Sequence, residues 1–130
     1  SEISSSSVSE KNKSYFIKVD KTKSVLVFFN YDSHKLSITE KDKLDNYIST
    51  SIKSVSNPII IYGHTDTKGS KKYNLILSEQ RALSVSEYFR KKGINNKLII
   101  KSYGEDYPLI ITGDNVEEEN NRRVEVIINN

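Results

Sequence analysis

The sequence predicts an α/β (α+β) two-layer sandwich, in which two main helices pack on one face of a mixed β-sheet. Short runs of β-branched and aromatic residues alternate with longer segments whose apolar residues recur at helical spacing. The length of 130 residues is enough for one domain with one hydrophobic core. The chain also has 8 tyrosines and 4 phenylalanines, whose large side chains compensate for an apolar content of 35%. We expect the order β-α-β-α-β-β, preceded by one further strand.

The amino-terminal residues differ in composition from the rest of the chain. Residues 1–13 are rich in serine and have almost no apolar side chains, which predicts a flexible linker ahead of a folded domain at 14–130. The runs YFIKV (15–19) and SVLVFFN (24–30) then predict two strands joined by a tight connection. Because the second run is β-branched and aromatic, we expect it to be a central, well-buried strand.

A helical period begins in the segment SITEKDKLDNYISTSIKSV (37–55). Its apolar residues, starting at Leu44, recur every three or four positions, as on one face of a helix. Thr39 and Asp42 offer an N-terminal cap and an acidic side chain in the first turn. Pro58 disfavours a helical conformation before it, so we expect the helix to end there.

Two strands and a second helix account for most of the remaining chain. PIIIYGH (58–64) predicts a buried strand, and a helix follows with Ser78 as its N-cap and Gly93 as its left-handed exit. KLIIKSYG (97–104) and RRVEVIIN (122–129) predict two further strands, separated by a polar loop.

Charge and composition argue against several functional classes. The net charge of +3 is spread along the chain without the basic stripe typical of nucleic-acid binding, so we expect no nucleic-acid partner. No apolar run approaches the roughly 18 residues that a membrane span needs. There is no cysteine, and His34 and His64 are too few for a zinc site, so we expect no metal and no cofactor. A nucleophile elbow and a catalytic carboxylate pair are both missing, so we expect no enzymatic activity.

The segment GHTDTKGSKKYNLILSEQRA (63–82) holds the best candidate for a binding site. Asp66 follows the predicted strand, and Arg81 falls in the first turn of the helix predicted to begin at Ser78. A carboxylate can accept from an ammonium, and a guanidinium beside free first-turn amides can bind a carboxylate. The pair could therefore receive a zwitterion. The alternative is an internal Asp66–Arg81 salt bridge that only orders the loop.

Four motifs in order resemble one known family. They are GHTD-x-x-G (63–69), N-x-x-LS-x-x-RA (74–82), GE-x-x-P (104–108) and NRRV (121–124). In this combination and order they resemble the OmpA-like peptidoglycan-binding domain, and the resemblance extends over about residues 25–129. That family includes outer membrane protein A, the peptidoglycan-associated lipoprotein and the flagellar stator protein MotB.

The resemblance implies that the domain binds peptidoglycan non-covalently through the meso-diaminopimelate of the stem peptide. Asp66 and Arg81 match the residues that hold the amine and the carboxylate of that amino acid. The other matching positions are the pocket asparagine, the pocket edge, the NRR arginines and a rim position: Asn74, Thr65, Arg122, Arg123 and Asn30. One of the two arginines is expected to reach the site and the other to support the fold. Several members carry an aspartate where this chain has Asn30, so affinity or preference is expected to differ.

The same resemblance implies an envelope location. We expect the domain to be periplasmic and wall-associated in a Gram-negative bacterium, where it anchors a larger protein. A region preceding residue 1 is expected to tether it to the inner or outer membrane. The alternative is an assembly or interaction domain of a secretion or motor complex, in which wall binding is weak or conditional. Other envelope proteins or a second copy of the chain are then the partners.

Overall fold

The computed structural model describes residues 24–129, and it confirms the predicted fold class. The strands are β1 (Ser24–Phe28), β2 (Ile59–Gly63), β3 (Leu98–Ser102) and β4 (Arg123–Ile128). The helices are α1 (Ile38–Tyr47), which a π-helical segment (Ile48–Ile52) extends, and α2 (Lys71–Lys91), with a short 3-10 helix (Glu119–Asn121) before β4. The predicted linker, the start of the domain and the strand predicted at 15–19 lie outside the described residues.

The four strands form one mixed sheet in the order β1-β4-β2-β3. β1 is an edge strand among the described strands, and only Val27 of it is buried, so its predicted central, well-buried position was wrong. β2 and β3 are parallel, whereas β4 is antiparallel to both β1 and β2. In the centre of the sheet Ile61 lies opposite Val126 on one side and Ile100 on the other. The parallel pair has α2 as its crossover, because parallel neighbours cannot be joined by a tight turn.

One hydrophobic core lies between the sheet and the helices. Alternate residues of β2 and β4 point inwards and are buried, as the two-residue period of a strand requires. They pack in one cluster with buried side chains of both helices, which include Leu44 of α1 and Val85 and Phe89 of α2. The amphipathic pattern read from the sequence thus places both helices on the buried side of the sheet.

The predicted helix starts were wrong. Ser37 caps α1, since its hydroxyl accepts from the amide of Glu40, and Thr39 lies inside the helix. Ser70 caps α2 by accepting from the amide of Tyr73 at 3.1 Å, so the helix begins well before Ser78. The free first-turn amides of α2 are therefore remote from Arg81, which lies about three turns further along.

Gly63 lets α2 lie against the end of β2. A Cβ atom at this position would lie 2.0 Å from the carbonyl oxygen of Ser78, a distance that no real contact allows. The Ser78 hydroxyl in turn accepts from the amide of Gly104 at 2.9 Å, which fixes the end of β3 beside the helix. This close approach places the following turn of α2, with Arg81, beside the residues that leave β2.

Candidate ligand-binding site

A cavity of about 120 Å³ lies where β2 ends and α2 begins. Its walls come from the β1–α1 loop, the β2–α2 loop and α2: Tyr31, Asp32, Asp66, Lys68, Gly69, Tyr73, Asn74, Leu77 and Arg81. Three of the residues predicted from the sequence, Asp66, Asn74 and Arg81, thus line one cavity. The other four predicted residues do not line this cavity: Asn30, Thr65, Arg122 and Arg123.

Arg81 is fully buried and is held by three backbone carbonyls. Its Nε donates to Ser33 at 2.8 Å, Nη1 to His64 at 3.1 Å and Nη2 to Asn30 at 3.2 Å. A guanidinium has two N–H bonds on each terminal nitrogen, so one on each is left for a ligand. Burial lowers the pKa of Arg81 to about 10, while the charge of Asp66 acts in the opposite direction. The group remains positively charged at neutral pH.

Asp66 is almost fully buried, and its carboxylate is held by three donors. It accepts from the amides of Lys68 at 3.2 Å and Glu118 at 3.1 Å, and from Nη1 of Arg122 at 3.3 Å. Within residues 24–129, its ion-pair partner is therefore Arg122, and the alternative of a direct Asp66–Arg81 salt bridge was wrong. Asp66 does order its loop, but by means of these three donors.

The cavity carries charges of both signs. Asp32 and Asp66 contribute carboxylates, and Lys68 and Arg81 contribute cations. The hydroxyl of Tyr73 donates to Asp32, and this hydrogen bond joins α2 to the β1–α1 loop. Asp32 has a φ of 51°, a left-handed conformation that aspartate tolerates better than most residues. A small cavity with two opposite pairs of charges is chemically suited to a zwitterion.

Sequence reasoning missed Asp32, Tyr73 and Lys68. The Gly69–Ser70 pair was the signal for Tyr73 and Lys68, because a glycine followed by a capping serine marks a loop that enters a helix. Nothing local in the sequence signals Asp32, since only packing brings the β1–α1 loop beside α2.

Asn74 and Thr65 shape the loop between β2 and α2. The side-chain nitrogen Nδ2 of Asn74 donates to the backbone carbonyls of Asp66 and Lys68 at 3.3 and 3.0 Å. It also lies 2.9 Å from the Glu105 carboxylate, to which it donates as well. The Thr65 hydroxyl donates to the Asp66 carbonyl at 2.8 Å, and its amide donates to Gly104 at 2.8 Å. Thr65 therefore positions Asp66 from outside the cavity.

The two adjacent arginines before β4 have different surroundings. Arg122 donates through Nε to the Phe29 carbonyl at 3.0 Å and through Nη1 to Asp66. Arg123 is buried and bonds the Glu125 carboxylate at 2.8 Å and the Tyr107 carbonyl at 2.9 Å. Arg122 thus bonds a residue of the cavity, whereas Arg123 bonds Glu125 and the backbone of Tyr107.

Asn30 lines a second cavity of about 430 Å³, together with Arg122. Only its backbone carbonyl contacts the first cavity, by accepting from Arg81. Asn30 is not among the residues that line the Asp66–Arg81 cavity, so its predicted place on the rim of that cavity stays a prediction.

Other site types find no support in residues 24–129. No group of three or more histidine, aspartate or glutamate side chains in this part of the chain could hold a metal ion. None of its helices combines the length and the apolar character that crossing a bilayer requires. His64 lies on the opposite side of the sheet, where it is buried beside Arg123 and Tyr103.

The motifs and the fold agree with the comparisons with known proteins. The OmpA family matches residues 28–122. The chain belongs to the OmpA family. A peptidoglycan-associated lipoprotein of Pseudomonas putida is 34% identical over 100 residues, which cover 76% of this chain and 60% of that protein.

Two solved structures extend the comparison. The peptidoglycan-associated lipoprotein of Burkholderia pseudomallei has a TM-score of 0.72 at 27% identity, over 82% of this chain and 90% of that one. The C-terminal domain of Helicobacter pylori MotB has a TM-score of 0.67 at 25% identity, over 80% and 82% of the two chains. The chain is thus an OmpA-like domain of the lipoprotein and MotB type.

The chain spans only part of the curated proteins that it matches. It covers about three fifths of the two Pseudomonas lipoproteins, 12% of one longer relative and 29% of another. The activities of those whole proteins are therefore not attributed to this domain.

Proposed function

We propose that this domain binds peptidoglycan non-covalently through the meso-diaminopimelate of the stem peptide, and thereby anchors a larger envelope protein to the cell wall. The observation that carries the proposal is the meeting of Asp66 and Arg81 in one small cavity with charges of both signs. The family and its members named as peptidoglycan-associated lipoproteins support it. Their names also support a periplasmic, wall-associated location.

The side chain of meso-diaminopimelate ends in an ammonium and a carboxylate on one carbon atom. The two remaining N–H bonds of Arg81 suit the carboxylate, because a guanidinium can bind both of its oxygens. Asp66 and Asp32 supply acceptors for the ammonium. A cavity of about 120 Å³ takes the end of such a side chain and no larger part of the wall. The free amides of a helix N-terminus have no part in this site.

The same chemistry predicts discrimination between wall types. Lysine, which replaces diaminopimelate in many Gram-positive walls, offers the ammonium without the second carboxylate. Arg81 would then be left buried with two unpaired donors, which costs on the order of 2–5 kcal/mol. A diaminopimelate-type stem peptide should therefore bind at least about thirtyfold more tightly than a lysine-type peptide.

Co-sedimentation with purified diaminopimelate-type sacculi tests the proposal. The wild-type domain should sediment with the sacculi, and Asp66→Asn should not, because the neutral amide loses the charge that attracts the ammonium. Asparagine is chosen because it keeps one side-chain oxygen that can accept from these donors, whereas alanine would leave all three unpaired. Asp114→Asn, at an exposed loop position, is the matched control and should bind normally. Equal sedimentation of wild type and Asp66→Asn, with circular dichroism showing both folded, would contradict the proposal.

A second candidate is an interaction domain of an envelope assembly. The loop before β4 exposes four large apolar side chains: Leu109, Ile110, Ile111 and Val116. Exposed apolar clusters of this kind often mark contacts with a protein partner or with a second copy of the chain. Association that survives Asp66→Asn but is lost in Ile111→Ser would favour this second function. Cross-linking in envelope extracts and analytical ultracentrifugation would measure it.

A further inference from the structure

The second cavity lies directly beside the proposed binding site. Its volume is about 430 Å³, which is within the range of ordinary ligand pockets, whereas the Asp66–Arg81 cavity is much smaller. Phe28, Phe29, Asn30, Ser37, Glu40, Glu119, Asn120 and Arg122 line it. Arg122 connects the two cavities, because it lines the second cavity while its Nη1 bonds Asp66 of the first. A ligand seated on Asp66 and Arg81 would therefore have its remaining atoms next to this space.

Three polar groups in the wall have capacity for a ligand. Asn30 and Glu119 are exposed, and within residues 24–129 neither the side-chain amide of Asn30 nor the carboxylate of Glu119 bonds another protein group. Among the described residues Nη2 of Arg122 has no acceptor either, since the bonds of this residue use Nε and Nη1. Glu40 differs, because its carboxylate accepts from the Phe28 amide at 2.7 Å and pairs with Lys43 at 2.8 Å.

We propose that this second cavity binds the peptide backbone that flanks the diaminopimelate residue of the stem peptide. The proposal rests on the proposed function. A peptide unit has one N–H donor and one C=O acceptor. Glu119 can accept from such an N–H, while Asn30 and Arg122 can donate to the carbonyl. The backbone continues from the diaminopimelate side chain, so it is the first part of the ligand to reach the neighbouring space.

A free anion suits this cavity less well than a peptide. Glu40 and Glu119 both line it, and Arg122 is already paired with Asp66, so the wall offers no uncompensated positive charge. Amide groups are neutral and gain hydrogen bonds there without bringing a further charge next to the carboxylates. The cavity therefore contributes affinity for a peptide ligand, whereas Asp66 and Arg81 select the amino acid.

Calorimetric titration with two ligands isolates this contribution. The first ligand is free meso-diaminopimelate, and the second is the tripeptide L-Ala-γ-D-Glu-meso-diaminopimelate. The wild-type domain should bind the tripeptide more tightly than the free amino acid. Glu119→Ala and Asn30→Ala should each lower tripeptide affinity about threefold to tenfold, the usual value of one hydrogen bond. Affinity for the free amino acid should change much less, so the ratio of the two affinities falls.

The matched control is Glu117→Ala, which removes an exposed carboxylate two residues away in the same loop and should keep the wild-type ratio. Equal affinities of the wild type for both ligands would overturn the inference and leave the proposed function standing. So would an unchanged ratio in both Glu119→Ala and Asn30→Ala. Binding of neither ligand to the wild-type domain would instead overturn the proposed function, and the inference with it.

Discussion

Replacing His64 with phenylalanine should make the domain more resistant to acid. The imidazole is 3% exposed, and within residues 24–129 neither of its nitrogens has a hydrogen-bond partner. Burial, with a further effect of the Arg123 charge, lowers the pKa of His64 from 6.5 to about 3. The Glu125 carboxylate lies 3.9 Å from Nε2 but is already bonded to Arg123, so it offers the imidazolium little compensation.

The magnitude follows from proton linkage. In the unfolded chain His64 takes up a proton below pH 6.5, whereas in the folded domain it stays neutral until about pH 3. Across that interval the unfolded state binds one more proton, so the free energy of unfolding falls by about 1.4 kcal/mol per pH unit on acidification. Between pH 6.5 and 4.5 this is a loss of about 2–3 kcal/mol. Phenylalanine has a similar shape and no titratable nitrogen, so this loss should disappear.

Urea unfolding followed by circular dichroism at pH 7.0, 5.5 and 4.5 would measure the effect. At pH 7 the variant should be at least as stable as the wild type, because it removes two buried nitrogens without partners. The difference in unfolding free energy should then grow in favour of the variant as the pH falls. Carboxylates titrate in both proteins, so their contribution cancels in the difference. A difference that stays constant from pH 7.0 to 4.5 would refute the reasoning.

Two further substitutions test the packing of α2. Gly63→Ala should destabilise the domain by about 3 kcal/mol or more, because its Cβ would force the helix away from β2 at the Ser78 carbonyl. Thermal unfolding would measure this, and a melting temperature close to that of the wild type would contradict the close approach. Tyr73→Phe should leave the fold intact, because Tyr73 is half exposed, but weaken binding of the tripeptide about threefold to tenfold by releasing Asp32. Calorimetry would measure the loss, and tighter binding would show instead that the Tyr73 hydroxyl competes with the ligand.

The existence of the four strands and two α-helices in residues 24–129 could be predicted from periodicity, but the short 3-10 helix before β4 and the start of α2 could not. Its first turns contain Lys71 and Lys72 together with Leu75 and Ile76, which are half exposed although apolar. An apolar stripe on one face is therefore weak in this part of the helix, and a clear helical period begins only further along. The prediction consequently placed the N-cap at Ser78 in place of Ser70.

The contents of the cavity were predictable only in part. The resemblance of the motifs to the family placed Asp66, Asn74 and Arg81 together; Asp66 follows β2, and Asn74 and Arg81 lie about two turns apart on α2. The position of the β1–α1 loop depends on long-range packing, and no local pattern encodes it. This is why Asp32 was missed, and why the sequence did not reveal that Asn30 lies in the wall of the neighbouring cavity.

Arg81 joins the structural and the proposed binding roles of the site. Three of its N–H bonds hold the carbonyls of Asn30, Ser33 and His64, and these tie the β1–α1 loop to the end of β2. Asp66 is likewise held by three donors. Both charged groups are therefore fixed before any ligand arrives, and little side-chain entropy is lost on binding.

It also follows that Arg81→Ala would leave three carbonyls without a donor, so a loss of binding could not be distinguished from a loss of folding. Arg81→Lys keeps the positive charge but cannot bind both oxygens of a carboxylate in parallel. In a folded Arg81→Lys variant, lost binding would therefore show that the two parallel hydrogen bonds are needed in addition to the charge.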